Sequence, residues 1–428
     1  MMRVGESFCP GILHAVEAKD GLLTRIRVPG GMITAFQLEV IADLAAAYSN
    51  GQVEITSRSN LQLRAIRQND LHYVVKELES AGLLPSAPHD RVRNVITSPF
   101  AGLGFDEILD SRPFVAELDR RLVSEQVLAG LPPKFSFAID GGGGWFSRDS
   151  DDLAFQAVTV DEAVRFHLVV GGVSSGLGVR VDQVVECAIQ AAKACLQISE
   201  KFGIPARGKK IAVFPQAMDE LLSELSDLLV YPSSSASKII TEMPVGVYLT
   251  EQVGLVSLVP SVPLGRLASE QIRCVTAVAK EWGEDIDIRL APWRGIVLGP
   301  VPEDSLSQVA EKLQSVSLRL DGKDGYRGIA VCAGNTGCDA SLADVRSDAT
   351  LLASLLSGHE AKPGWTVNIS GCGKQCAMRN GATAELIASP SGYDLRFNGR
   401  ELASGCSLDF VITTLIGNQA VMISEASS

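Results

Sequence analysis

Leu22-Leu23-Thr24-Arg25-Ile26-Arg27-Val28, then Thr34-Ala35-Phe36-Gln37-Leu38 on to Tyr48, then Val53-Glu54-Ile55-Thr56 and Leu61-Gln62-Leu63-Arg64-Ala65-Ile66, is the stretch that decides the fold. It decides because the chain contains it twice: Gly11–Leu63 lines up with Gly246–Leu298 in one register at both ends. The first copy reads strand, helix, strand, strand. Thr34 with Gln37 three residues on is a capping box, and Leu38, Ile41, Ala45 and Tyr48 fall at helical spacing. In the second copy Ser269 takes the cap position, ahead of Ile272, Val275 and Val278. Each unit is too small to bury its apolar face alone, so the two are expected to pair about a pseudo-twofold axis.

The segments between them repeat as well. Arg93-Asn94-Val95 lines up with Arg327-Gly328-Ile329, and the Lys134–Gly142 run with Gly364–Cys372. Thr97 then stands at the place of Cys332 and Gly142 at that of Cys372. Four units are expected: two half-domains, 1–86 and 236–318, and two larger α/β units, 87–235 and 319–428. The serine-rich 233–237 reads as a linker between halves, or as a loop over the site.

Only the last unit carries the quartet Cys332, Cys338, Cys372 and Cys376, as C-x5-C and C-x3-C in loops of small residues. Four thiolates from two tight loops suit a [4Fe–4S] cube, and small residues let backbone amides approach its sulfurs. Structural zinc sites favour closer cysteine pairs than C-x5-C. Cys187, Cys195 and Cys274 lie at apolar helical positions and read as core thiols, and His167 reads as a packed strand residue. The glycines at 141–144 and 171–178 lack phosphate-loop and dinucleotide spacing.

Composition sets the class. The 428 residues are 46% hydrophobic and 21% charged, a globular balance. A formal net charge of −12 argues against nucleic acid as a partner, and no apolar run reaches spanning length, so no membrane is expected. Nine cysteines, an odd number, do not suggest a disulfide framework, and the chain reads as cytoplasmic. Within that acidic whole, one strand face is basic. Arg25 and Arg27 alternate with Ile26 and Val28, Gln62 and Arg64 alternate with Leu61 and Leu63, and Arg58 projects from the turn before. Guanidinium forks on one face suit carboxylates; the alternative is a solvated sheet face.

Thr56-Ser57-Arg58-Ser59-Asn60-Leu61-Gln62-Leu63-Arg64, then Arg93-Asn94-Val95, then Leu131-Pro132-Pro133-Lys134-Phe135 and the cysteine pattern resemble the sirohaem sulfite and nitrite reductase superfamily over nearly the whole chain. The resemblance implies an α+β fold, internally duplicated, with two ferredoxin-like half-domains and two α/β tetrapyrrole and Fe–S domains. It assigns Arg58, Arg93 and Lys134 to the tetrapyrrole and anion site as catalytic residues. Arg25, Arg27, Asn60, Gln62, Arg64 and Asn94 would bind the tetrapyrrole or hold neighbouring loops. The four cysteines would be the metal ligands, with Cys376 also bridging to sirohaem iron in a reductase.

Cys9-Pro10-Gly11, Asp20-Gly21-Leu22, Ala101-Gly102-Leu103 and Lys374 in the second cysteine loop are similar to the precorrin-3B synthase branch. That branch implies O2-dependent C20 hydroxylation and γ-lactone formation on precorrin-3A. It also implies a possible mononuclear non-haem iron, whose ligands the sequence leaves unassigned, and an electron donor such as ferredoxin or a flavoprotein. Reductases place a second lysine two residues after the first, where this chain has Ser136; the synthases place a basic or His-Pro element where it has Ala377-Met378. The alternatives are a sirohaem-dependent nitrite or sulfite reductase and a non-enzymatic tetrapyrrole-binding iron–sulfur protein.

Overall fold

The computed structural model describes residues 3–5, 9–104, 106–143, 151–230, 244–282, 286–359, 364–378 and 381–424. The serine-rich 233–237 and Gly144 lie outside the described residues.

The duplicated unit folds as its pattern dictates. Thr34 caps the helix Ala35–Tyr48, and both halves of the capping box with Gln37 are formed. Leu38, Ile41 and Ala45 turn inward and are fully buried. The helix lies on strands Gly21–Ile26, Gln52–Ile55 and Leu61–Ile66. The second copy holds the same register: helix Ser269–Trp282, then strands Asp287–Leu290 and Ile296–Pro302. Its helix start differs from expectation. The Ser269 hydroxyl donates across to the Ala42 carbonyl at 2.9 Å, and Gln271 accepts from the Ala268 N–H at 2.8 Å.

The two copies exchange a strand edge. Arg266–Ala268 of the second adds antiparallel to Gln52–Ile55 of the first, with Leu267 opposite Val53. Met32–Ile33 of the first adds to Asp287–Leu290 of the second, with Ile33 opposite Ile288. Each borrowed edge covers an end that would otherwise be unpaired. The two helices pack face to face, so Leu38 and Ile41 share one continuous core with Ile272, Val275 and Val278. Arg273 pairs with Asp43 and Lys280 with Glu39 at the helix rims.

The two larger units also match each other. Val95–Ile96, Phe137–Asp140 and Leu153–Val160 run parallel, and Ala163–Val170 and Val173–Arg180 turn back antiparallel. Ile329–Val331, Val367–Ser370 and Ala384–Ser389 run parallel in the same order, followed by antiparallel Gly392–Phe397 and Arg400–Cys406. Helices Arg112–Ser124 and Val345–Leu356 make the corresponding crossovers. The register corrects one equivalence. Val95 pairs with Phe137 as Ile329 pairs with Val367, so Ser98, not Thr97, stands where Cys332 does. Gly142 and Cys372 remain equivalent, each five residues past the paired position. Thr97 is instead a core link, with its hydroxyl on Ser111 and the Ile139 carbonyl. No helix of the described residues is long and apolar enough to cross a membrane.

Candidate functional site: a cysteine edge beside a cationic strand face

Strands Ile329–Val331 and Val367–Ser370 are parallel neighbours, so the loops that follow them leave from the same edge. That places C-x5-C and C-x3-C side by side. The Cys332 N–H donates to the Ile369 carbonyl at 3.3 Å, and the Gly371 N–H donates to Cys332 Sγ at 3.3 Å. The Leu342 N–H reaches the Gly371 carbonyl at 2.8 Å and ties the loops together. Gly371 is required by contact: a Cβ there would lie 1.8 Å from Ser341 Oγ. Gln375 takes a left-handed φ of 46° and donates to the Cys372 carbonyl, which turns the second loop between its cysteines.

All four cysteines are free thiols; Cys376 is exposed and the other three are half-buried. Among the described residues no three His, Cys, Asp or Glu side chains are gathered at metal-holding distance. The donors still fit an iron–sulfur cube: four free thiols at one sheet edge, glycine on both loops, and an amide already directed at a sulfur. Cys187 and Cys195 are core thiols, wholly buried on helix Val184–Phe202, and burial pushes the Cys187 thiol up to about 12. His167 is buried in its strand, as its pattern suggests, and meets Ser174 Oγ at 2.9 Å.

The strand face carrying Arg25 and Arg27 is covered, not solvated. Arg27 is 2% exposed, and among the described residues its Nε and Nη1 have no hydrogen-bond partner. Burial, then the neighbouring Arg25 charge, lower its pKa to about 10. Unmet buried guanidinium N–H groups are costly, and an anion seated there would satisfy them. Arg25 spends Nε and Nη2 on Gln62 Oε1, at 3.2 and 2.9 Å. Cys9 Sγ lies 3.8 Å from Arg25 Nη1 and 3.6 Å from Arg27 Nη2. Cys9 has no role legible in the sequence beyond its place ahead of Pro10-Gly11. Half-buried Arg58 also has an Nε without a partner among the described residues, and it lies close enough to Arg25 to depress its pKa further. Arg25, Arg27 and Arg58 therefore converge as one cationic group.

The other expected site residues are held by the protein itself. Arg93 Nε and Nη2 donate to the two carboxylate oxygens of Asp119, each at 2.7 Å, on helix Arg112–Ser124. Arg64 grips Asp20 at 3.0 and 2.9 Å and donates to the Gly337 carbonyl at 2.6 Å. Asn60 Oδ1 accepts from the Val28 N–H, fixing the turn that carries Arg58. Asn94 Nδ2 donates to the carbonyls of Arg91, Pro133 and Phe135, which locks the Lys134 turn onto the Arg93 strand. Lys134 itself is exposed. Gln62 Nε2 donates to Glu54 Oε2 at 2.7 Å. Glu54 was not anticipated, yet it gathers Gln62, Arg266 and Arg346. Burial pushes Glu54 up, and the Arg346, Arg64 and Arg266 guanidiniums outweigh it, holding its pKa below the ordinary value.

At the end of the strand Phe137–Asp140 sits a group of the opposite kind. Asp140 is fully buried, which raises its pKa to about 7 against the pull of Gln156 and the Gly142 amide. Glu107 is likewise raised to about 7, by burial and then by Asp110 and Asp140.

The nitrite/sulfite reductase ferredoxin-like half-domain model matches residues 14–81 and 249–316, the two exchanged units. The nitrite and sulphite reductase 4Fe-4S domain model matches residues 89–202, the copy without the cysteine quartet. A precorrin-3B synthase of Sinorhizobium sp is 30% identical over 409 residues, covering 91% of this chain and 82% of that protein. A ferredoxin–nitrite reductase of Synechococcus elongatus is 24% identical, covering 89% and 78%. A sulfite reductase (ferredoxin) 2 of Mycolicibacterium paratuberculosis is 26% identical, covering 85% and 69%. Mycobacterium tuberculosis NirA superposes with a TM-score of 0.75 at 22% identity, over 90% of this chain and 77% of that one, a likeness of fold.

Proposed function

From the premise that the chain belongs to the nitrite and sulfite reductase family, whose members are oxidoreductases, we propose that it is a precorrin-3B synthase-like monooxygenase of aerobic cobalamin biosynthesis. The substrate would be precorrin-3A, a reduced tetrapyrrole bearing acetate and propionate arms. Arg25, Arg27 and Arg58 would take those carboxylates, because they alone of the expected cations keep buried donors or lie against a cation that does. Arg93 and Lys134 would flank the ring, Arg93 through its exchange of Asp119 for a carboxylate. Asn60, Gln62 and Asn94 would keep the arginine-bearing turns in place.

Cys332, Cys338, Cys372 and Cys376 would hold the [4Fe–4S] cluster. When bound, the cluster would supply electrons singly from a ferredoxin or flavoprotein donor. Overall, one atom of O2 would become the C20 hydroxyl and the other would leave as water, with two electrons from the donor and two protons. The ring A acetate would close the γ-lactone.

The observation that carries this reading is Ser136. It stands at the reductases' second lysine, is fully buried, has no partner for its hydroxyl among the described residues, and has its N–H held by Asp152 at 3.0 Å. A site built for six-electron reduction of a small oxyanion calls for more fixed positive charge there. The second reading is a sirohaem-dependent nitrite or sulfite reductase. It is favoured by the depth of Arg27, since 2% exposure suits a permanently bound ring. Anaerobic incubation with precorrin-3A and reduced ferredoxin, then 18O2, separates them. The synthase reading expects one labelled oxygen in the product at C20; precorrin-3A left unchanged, with ammonium or sulfide formed in a parallel incubation given nitrite or sulfite, would overturn it.

A further inference from the structure

The family resemblance gives Arg64 two roles, ring carboxylates or neighbouring loops, and its fork is turned to a loop. The side chain is 5% exposed. Nε and Nη2 are held by the two oxygens of Asp20, and Nη2 also donates to the Gly337 carbonyl at 2.6 Å. Gly337 is the residue before Cys338, in the short helix Gly334–Gly337 of the first cysteine loop. The approach is close: a Cβ at 337 would stand 2.8 Å from Arg64 Nη2 and 3.2 Å from Asp20 Oδ2, so a larger residue there would push the ion pair aside. Arg64 is separated from Gly337 by 273 positions, so the contact joins the first half-domain to the cysteine loop. Glu54, on the strand beside Arg64, grips Arg346 just past the same loop. The segment from Cys332 to Arg346 is thus held at two points by the first half-domain's sheet.

We propose that Arg64 is a positioning and potential-setting residue of the iron–sulfur cluster: it fixes the Gly337–Cys338 peptide and places a buried cation, tempered by Asp20, beside the cluster thiolates. The inference rests on the assignment of the quartet as cluster ligands. Reduction adds a negative charge to an already anionic cluster, and a fixed cation nearby in low dielectric favours the reduced form. An oriented second layer around ligand loops tunes metal sites in the same way. Removing the cation should lower the potential; removing the charge of Asp20 should raise it.

EPR-monitored redox titration of the anaerobically prepared holoprotein tests this, in wild type and in Arg64→Met, Arg64→Lys and Asp20→Asn. A parallel titration with a stable octacarboxylate porphyrin reads ring binding. Arg64→Met should shift the reduction equilibrium about tenfold toward the oxidised form, ~59 mV for one electron. Arg64→Lys should restore most of that shift, and Asp20→Asn should move the potential upward. Porphyrin affinity in Arg64→Met should stay within about twofold of wild type. An unchanged potential in iron-replete Arg64→Met overturns the proposal, and lost porphyrin affinity beside it returns Arg64 to the ring. If Arg64→Met fails to load iron, Asp20→Asn decides: no upward shift overturns the proposal. The ligand assignment fails separately, if wild type lacks four irons or Cys372→Ala retains them.

Discussion

Glu54→Gln probes the joint between the first half-domain and the cysteine-bearing unit. Glu54 lies on the strand Gln52–Ile55 with its side chain 12% exposed, facing Arg346 (15%) and Arg266 (20%). Arg346 belongs to the crossover helix Val345–Leu356 and Arg266 to the strand borrowed from the second half-domain. One carboxylate therefore joins three parts of the chain. Gln preserves shape and one acceptor but leaves two largely buried guanidiniums without a counter-charge. Removing one partner of a buried pair costs about 3–5 kcal/mol; partial exposure and the retained acceptor put Glu54→Gln near ~3 kcal/mol. Against a total stability of about 5–15 kcal/mol that is a large fraction. The assay is urea denaturation at pH 7, read by fluorescence and by hydrogen exchange across 329–356. Glu54 has a lowered pKa in the folded protein. Its stabilisation is therefore present above the unfolded value of 4.5 and lost as pH falls through the folded value. The gap between wild type and Glu54→Gln should close below pH 4.5 accordingly. A loss under about 1 kcal/mol at pH 7, or a gap unchanged in acid, would refute the reasoning.

Asp140 should behave in the opposite sense. Its folded pKa is raised from 3.8 to about 7, so stability is lost as pH rises between those values, and Asp140→Asn should remove that slope and stabilise the protein at pH 8 by about 2–4 kcal/mol. Denaturation curves at pH 5 and pH 8 decide, and an unaltered slope counts against a buried carboxyl cost. Arg27→Met should stabilise the ligand-free protein by about 1 kcal/mol or more, since it removes a buried cation with unmet donors, while weakening porphyrin carboxylate binding at least about tenfold. A destabilised protein with unchanged affinity would mean Arg27 is a structural group. Cys372→Ala should abolish four-iron content, and Cys187→Ala should leave it intact with only a packing penalty, as iron and sulfide analysis of both would reveal.

The half-domain duplication was legible because capping and periodicity are local. Thr34, Gln37 and the stripe Leu38–Ile41–Ala45 mark one helix, and the same register recovers Ile272, Val275 and Val278. The strand exchange was hidden, because Met32–Ile33 and Arg266–Ala268 are too short to carry a period and pair only across the twofold. The alignment of Arg93–Val95 with Arg327–Ile329, carried on three residues, already sets Ser98 rather than Thr97 opposite Cys332, and the pairing of Val95 with Phe137 agrees. At the site, residue types announced cations but not their partners. Arg93 with Asp119 and Arg64 with Asp20 look in sequence like Arg27, which has two unmet donors. The difference lies in carboxylates brought from 26 and 44 positions away. Cys9 and Glu54 were missed for the same reason: each matters through groups that meet it only in the fold.

The central claim is that the tetrapyrrole is a substrate that comes and goes, bound by Arg25, Arg27 and Arg58 beside a permanent iron–sulfur cluster. The most direct test is the absorption spectrum of the protein purified anaerobically, read with its iron, sulfide and extractable tetrapyrrole content. The account predicts broad iron–sulfur absorption, four irons on the quartet, and no Soret or α-band of sirohaem. A stoichiometric sirohaem spectrum would contradict it and make the chain a reductase.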